Sequence, residues 1–380
     1  MSVQTEIDRI ITAVGAAYDA VEAKGGTAPA AQTIEGLAAV IGTIQTGIVP
    51  QLAVTVSAGA TVTATNGSKT IRGTSDSTGV CTLIVPEPGT WSVSATLGGQ
   101  TSDTKTVSIT DSYAVSLYFV SSTLNDNEWS VIKSVSDAGQ GANYWSIGDR
   151  KEVILDGTVG HLALSNYTTY AFIIGFNHNQ ELEGTNRIHF QLAKTALSGG
   201  TDVCFCDSYY TSPVSTTGYF SMNSSATNSG GWENSQMRTN ICGTSLSNYS
   251  GTMIAVIPDA LRAVLKSVTK YTDNTGNNST SASAVTATKD YFFLLSEFEV
   301  FGSISRANSN EASKQAQYAY YSAGNSKVKY KHNGTSAAAR WWLRSPLASS
   351  SDGFENVNTN GTVEDRTARA SFGFAPGFCV

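Results

Sequence analysis

The stretch "RWWLRSPLASSSDGFENVNTNGTVEDRTARASFGFAPGFCV" occupies residues 340–380 and joins two kinds of sequence. Trp341-Trp342-Leu343 near one end and Phe374-Ala375-Pro376-Gly377-Phe378 near the other are apolar and read as core. Truncating a buried tryptophan to alanine costs about 3–5 kcal/mol, so such residues fix a backbone. The residues between them are small, polar and mixed in type. They read as a surface held by a rigid aromatic frame, the arrangement in which loops carry binding function.

The rest of the chain widens this contrast. Of its 380 residues 41% are hydrophobic, enough for more than one core. Charged residues are only 14%, against roughly 25% in an average soluble domain. Ser, Thr, Asn and Gly fill the gap, a profile that suits β-rich, loop-rich extracellular or virion proteins. A net charge of −6 without a Lys/Arg cluster argues against a nucleic-acid surface. Apolar runs such as Tyr291 to Leu295 are too short for membrane insertion. Glu6, Asp8 and Arg9 interrupt any leader-like stretch, so the expectation is synthesis in the cytoplasm and another route to the place of action. Cys81, Cys204, Cys206, Cys242 and Cys379 are odd in number and irregular in spacing, which predicts buried free thiols rather than a disulfide framework.

Three segments follow. Residues 1–48 are expected to be helical: Ile7, Ile10, Ile11, Val14, Tyr18 and Val21 recur at helical spacing, Gly25-Gly26 ends the helix, and Ile34 to Ile44 forms a second. Two small helices bury little surface alone. Self-association into a homo-oligomer, or docking onto a larger assembly, is therefore expected. Residues 49–121 alternate with period two in "QLAVTVSAGATVTATNG" and "GTWSVSATLGG", with turns at Asn66-Gly67 and Pro88-Gly89; a small β-sandwich spacer is predicted. Its pattern resembles transthyretin-like or carboxypeptidase-regulatory-like (Ig-like) sandwiches. Residues 122–380 are mixed α and β, so the whole chain is α+β. A helix-start box at Asn125 and Glu128 leads into "EWSVIKSVSDAG". "YWSIGDRKEVILDG" and "YAFIIGFNHN" read as strands, and "DYFFLLSEFEVFG" as a buried strand and its exit. "WENSQMRTNICG", "PDALRAVLKSVTK" and "NEASKQAQYAYYS" read as helices. Loops are expected at 207–231 and 272–288.

Within 125–380 the ordered set Trp145-Ser146-Ile147-Gly148-Asp149, Gly175-Phe176-Asn177-His178, Trp232 with Ser235, Met237 and Arg238, Phe293-Leu294-Leu295-Ser296, Trp341 to Pro346 and Gly373 to Phe378 resembles a C-type-lectin-like domain family of gut bacteria and their phages. That family is related in fold to formylglycine-generating enzymes, and many members are variable proteins of diversity-generating retroelements. The resemblance implies a C-terminal C-type-lectin-like head whose 340–380 region is rewritten by an adenine-mutating reverse transcriptase. The implied variable positions are Leu347, Ser349, Ser350, Ser351, Asp352, Gly353, Asp365, Arg366, Thr367, Arg369, Ala370 and Phe372. Glu355 and Glu364 fit less well, because an Asn codon cannot reach Glu by changes at adenine alone. "AKGGTAPAAQTIEGLAAVIGTI" resembles segments near the start of phage tail proteins.

The resulting expectation is a non-enzymatic receptor-binding protein (adhesin), in a phage tail or else on a bacterial surface. Its partners would be a host cell-surface protein or glycan receptor and other virion tail proteins. The same resemblance allows an alternative, an enzyme on the formylglycine-generating-enzyme fold. Against it, Cys242 and Cys379 are isolated, His161, His178, His189 and His332 fall on different elements, and no G-x-S-x-G element occurs. His178 is expected to hydrogen-bond within the fold, and Glu297 and Glu299 to pair with Arg238 or Arg344. The Glu-Pro-Asn, Gln-Pro-Asp and Trp-Asn-Asp motifs of calcium-dependent sugar binding are absent. No cofactor is expected, although a structural calcium held by loop carboxylates is compatible with the sequence. Phe372 is expected to be exposed, because Gly373 separates it from Phe374.

Overall fold

The computed structural model describes residues 2–24, 26–44, 50–67, 69–207, 210 and 220–380. The chain divides into two compact units, 1–119 and 120–380. Both helix and strand are present throughout, in several small sheets. Among the described residues no helix is long and apolar enough to cross a membrane.

In the first unit a helix spans Val3–Ala23, started by the Ser2 side chain, which accepts from the Thr5 amide. Gly25 of the expected stop lies outside the described residues, as do residues 45–49. A second helix, Ile34–Ile41, is capped by Thr33 in the same way. Between them only Tyr18, Val21 and Val40 are buried. The sandwich then forms from alternating strands, because period-two patterning gives each strand one apolar face. Gln51–Thr55, Val80–Ile84 and Ser112–Ser116 make one sheet, and Thr61–Asn66, Lys69–Thr74, Gly89–Leu97, Gln100–Thr101 and Lys105–Ile109 the other. Leu52, Val54, Val62, Ala64, Trp91 and Val93 fill the shared core.

The second unit is built on an antiparallel sheet in the order Phe292–Phe293, Gly377–Cys379, Ile188–Lys194, Leu162–Phe176, Arg150–Val159. The C-terminal "GFC" segment thus lies inside the sheet, and Phe378 stacks on Phe190 at 5.2 Å. A helix, Trp129–Asp137, follows Glu128, whose side chain makes no capping bond. Asn125 instead accepts from the Glu152 amide, so the expected capping box does not form.

Three predicted helices are shorter than their periodicity suggests. "PDALRAVLKSVTK" gives one turn, Asp259–Arg262, and then the strand Val268–Asp273. That strand pairs with Val285–Asp290, part of the stretch expected to be loop. "WENSQMRTNICG" forms a wide π turn over Met237–Cys242. "NEASKQAQYAYYS" splits into Ser309–Ser313 and Ala319–Ser322. Short apolar runs satisfy helical and strand templates alike, and pairing decides between them.

The opening stretch forms a second sheet in which Trp341–Pro346 pairs with Gly353–Val357, and Gly353–Val357 with Val363–Thr367. Trp341 and Trp342 are fully buried. Their indole N–H groups donate to the Lys327 and Phe220 carbonyls, the polar contact a buried tryptophan requires.

The N-terminal helix leaves Val3 78%, Ile7 44%, Ile10 41% and Ile11 65% exposed. An uncovered stripe of this kind seeks another apolar surface. We expect the full-length chain to sediment as an oligomer and the double variant Ile7→Lys, Ile10→Lys to sediment at a lower mass. A wild-type chain that sediments as a monomer would remove self-association and leave only docking onto another protein.

Candidate functional site

The residues between the aromatic frame do not all face solvent. Ser349, Ser351, Asp352 and Arg369 are exposed, and Ser350, Asp365, Arg366 and Thr367 are half-buried. Leu347, Gly353, Ala370 and Phe372 are buried, which corrects the expectation that they belong to the surface. Phe372 is 1% exposed; its ring lies 4.8 Å from that of Trp342 and 5.8 Å from that of Tyr210. Gly373 does not turn Phe372 outward. It is needed because a Cβ there would meet Cys204 Sγ at 2.2 Å and the Arg340 carbonyl at 2.8 Å. Leu347 and Gly353 close the base of the loop, the Leu347 amide donating to the Gly353 carbonyl at 3.0 Å.

What holds this loop lies outside it. Asn228 is fully buried, and its side-chain amide reaches the carbonyls of Leu347 at 3.2 Å, Ser350 at 2.8 Å and Gly353 at 2.9 Å. Its backbone amide donates to the Ser351 carbonyl at 2.8 Å. Asn228 is itself fixed, because its Oδ1 accepts from the Asn277 amide at 2.8 Å. Gly276 (φ +61°) permits the approach: a Cβ there would sit 2.0 Å from the Asn228 carbonyl. The neighbouring segment continues the pattern. The Asn223 amide donates to the Ala368 carbonyl, the Ser221 hydroxyl to the Arg369 carbonyl, and the Phe372 amide to the Phe220 carbonyl. The bonds that position 347–353 and 368–372 are thus largely main-chain bonds on the loop's side. Among the side chains at 349–352 and 369, those of Ser350 and Asp352 add a local contact, the Ser350 hydroxyl donating to the Asp352 carboxylate and accepting from the Asp352 amide. Of the expected loop 207–231, residues 208–209 and 211–219 lie outside the described residues.

The exposed edge is a mosaic of charge. Arg306 pairs with Asp365, Arg340 with Glu364, and Arg366 with Glu364 at 2.5 Å. Arg306 is 59 residues from Asp365 in sequence, and no local pattern announces it. Among the described residues strand Val363–Thr367 pairs on one side only, and its charges also suit a strand edge. Beside it lies a groove of about 520 Å³ lined by Thr280, Ser305, Arg306, Ala307, Leu347, Ala348 and Ser349.

A second cluster is buried beneath this surface. Arg344, with no exposure, grips Glu299 through both guanidinium nitrogens. Lys270 donates to Glu183 at 2.7 Å, Glu299 at 2.9 Å and the Tyr318 hydroxyl at 2.7 Å. The expected partner of Glu299 is thus present. Glu297, in contrast, pairs with neither arginine, and Arg238 binds Asp290 at 2.6 Å. Ligand atoms of His178, Glu183 and Glu299 lie within 4.8 Å of one another, a spacing compatible with a metal. The Lys270 ammonium and the Arg344 guanidinium already provide two positive charges for the two carboxylates, so the cluster is balanced without an ion. Burial would raise Glu299, but Arg344 and Lys270 outweigh it and hold the carboxylate below its ordinary range. Burial and then the Lys270 charge push His178 down to about 3. His178 stacks on Tyr318 at 3.7 Å and stands within hydrogen-bonding reach of the Ala316 main chain.

Cys379 Sγ lies 3.3 Å from His189 Nδ1, a contact that sequence distance hides. Burial pushes the thiol up to about 12 and the imidazole well down, so this is a neutral pair rather than a thiolate nucleophile. All five cysteines are buried and free.

A protein-family model described as "Domain of unknown function (DUF6273)" matches residues 213–380, the part of the chain that carries the loop, Asn228 and the groove. No curated protein matches the chain.

Replacing Asn228 by alanine leaves several buried carbonyls without a donor, each loss costing about 1–3 kcal/mol. We expect Asn228→Ala to lower the unfolding free energy by about 3 kcal/mol or more in chemical denaturation. Ser349→Ala should stay within about 0.5 kcal/mol of wild type.

Proposed function

We propose that this chain is a receptor-binding protein, an adhesin of a phage tail, whose C-terminal unit is a C-type-lectin-like head of the formylglycine-generating-enzyme-like branch. The head displays Ser349 to Asp352, Asp365, Arg366, Thr367 and Arg369, together with Arg306, to a host cell-surface protein or glycan. The helices and sandwich of the first unit serve attachment to other tail proteins and spacing.

One observation carries this reading: Asn228 holds the 347–353 loop by its main-chain carbonyls. A loop fixed in that way keeps its shape whatever side chains it bears, which a diversified binding surface requires. Interfaces draw most of their affinity from a few residues, with arginine enriched among them, and Ser and Asp supply adaptable polar contacts. The exposed Arg369 and Asp352 and the half-buried Arg366 suit that division. A mutagenic origin of the surface would leave its own genomic signature: a near-identical repeat of the 340–380 coding stretch, with adenines at the differing sites, beside a reverse-transcriptase gene.

The test combines stability with attachment. In the variant Ser349→Ala, Asp352→Ala, Arg366→Ala, Arg369→Ala, each substitution should cost no more than about 0.5 kcal/mol. The melting temperature should therefore stay close to wild type. Binding of the fluorescently labelled protein to a panel of gut bacteria should be lost, since such contacts contribute about 2 kcal/mol or more each. A folded variant that still labels the same bacteria as wild type would refute the assignment of this surface.

A further inference from the structure

Glu355 stands at the centre of the strand Gly353–Val357, the middle strand of the sheet that carries the candidate surface. It has no exposure, and neither carboxylate oxygen meets a hydrogen-bond donor among the described residues. The other buried acids of this region are provided for. Glu297 accepts from the amides of Ser305, Arg306 and Ala307 and from the Ser305 hydroxyl, at 2.7 to 3.2 Å. Glu311 accepts from the Asp273 amide, the Ser345 hydroxyl and the Gln315 side-chain amide. Glu299 holds Arg344 and Lys270.

The charges around Glu355 disfavour its ionised form. Its register partner on the next strand is Asp365, an acid on the same face of the sheet, and like charges directly opposite repel. On the other side, Leu343 to Ser345 bulge between the paired positions Trp342 and Pro346, opposite Glu355. Ser345 accepts there from the Glu297 amide and donates to the Glu311 carboxylate, so two further acids reach the same strand. The cations are committed elsewhere. Arg306 pairs with Asp365 and Arg344 with Glu299. Arg340 and Arg366 pair with Glu364, on the opposite face of its strand from Asp365. A buried carboxyl without donor or cation keeps its proton rather than a charge. Burial first, then the Glu297 and Glu311 carboxylates, hold Glu355 well above the usual carboxylate range, against a weaker pull from Arg306. In the unfolded chain a glutamic acid ionises near about pH 4.3. The folded chain thus keeps a proton that the unfolded chain gives up. The stability this provides is complete below about pH 4.3 and is lost as pH rises toward the native value. We infer that Glu355 is a proton-held latch: as a neutral acid it packs between the strands Trp341–Pro346 and Val363–Thr367, and on losing its proton it is driven out of the sheet, so that the 347–353 loop and the strand Val363–Thr367 loosen as pH rises. The latch belongs to the sheet and does not depend on what the surface binds.

The experiment compares the full-length wild type with Glu355→Gln, which keeps the shape and cannot ionise. Urea titrations from about pH 5 to 8 are read by hydrogen-exchange mass spectrometry on peptides from 340–380. Every other titrating group is common to both chains, so the ratio of their unfolding constants isolates position 355. That ratio, wild type over variant, should rise about tenfold per pH unit until the native carboxyl titrates. Without urea, exchange in 347–353 and 363–367 should quicken with pH more in the wild type than in the variant. A ratio that stays constant, or that falls as pH rises, would overturn the inference, because Glu355 would then be an ionised and partnered carboxylate. Equal exchange in the two chains at every pH would overturn the loosening of the surface. If Glu355→Gln does not fold, Glu355→Met, neutral and of similar length, takes its place. Failure of both neutral replacements to fold would also overturn it, since a neutral side chain would not suffice at this position.

Discussion

The buried Arg344–Glu299 pair organises the second unit. Glu299 receives two guanidinium nitrogens of Arg344 and the ammonium of Lys270, and its Oε2 also accepts from the Ser296 amide that begins its own helix. One carboxylate therefore joins the strand Trp341–Pro346, the strand Val268–Asp273 and the helix Glu297–Phe301. Such a pair tolerates no partial loss: removing one partner from a buried ion pair typically costs about 3–5 kcal/mol, because the other charge stays behind. Arg344 sits just before the loop, so the network fixes where Leu347 leaves the core. The Ala348 amide then meets the Arg306 carbonyl, and the chain passes onto the surface.

From that exit onward the constraint changes kind. Trp341, Trp342, Phe372 and Phe374 are held by their side chains, through packing and indole hydrogen bonds. Residues 350–352 and 369 are held chiefly through their main-chain carbonyls, by Asn228, by the Ala368 amide and by Ser221. Side-chain packing makes a position specific to one residue type, because a volume change opens a cavity or forces strain. A main-chain bond is available to nearly every residue. The division between fixed frame and free surface is therefore a division between two ways of fixing a backbone.

Much of this was legible in the sequence. The Trp-Trp-Leu and Phe-Ala-Pro-Gly-Phe segments declare core by composition, and the strands near 150–159 and 162–176 follow from their apolar and β-branched runs. The alternating sandwich strands follow from period two. Phe372 was misread because Gly373 suggested freedom, whereas it marks close contact with Cys204 and Arg340. The predicted helices after Pro258 and Asn310 failed because strand pairing and short turns overrode a brief periodicity. Asn228, the Arg306–Asp365 pair and the Lys270 network link residues far apart in sequence, and a single sequence carries no signal for such contacts. Asn228 in particular sits in a Ser/Asn/Thr-rich run where each residue looks like loop filler.

The central claim is that main-chain bracing leaves the surface side chains free. It is tested most directly by a saturation scan of residues 220–228 and 340–380 in the full chain, displayed on cells and sorted for protease resistance. The account predicts that Ser349, Ser350, Ser351, Asp352 and Arg369 accept most residue types, whereas Asn228, Trp342, Arg344 and Phe372 accept almost none. Intolerance at Ser349 to Asp352, or free substitution at Asn228, would contradict it.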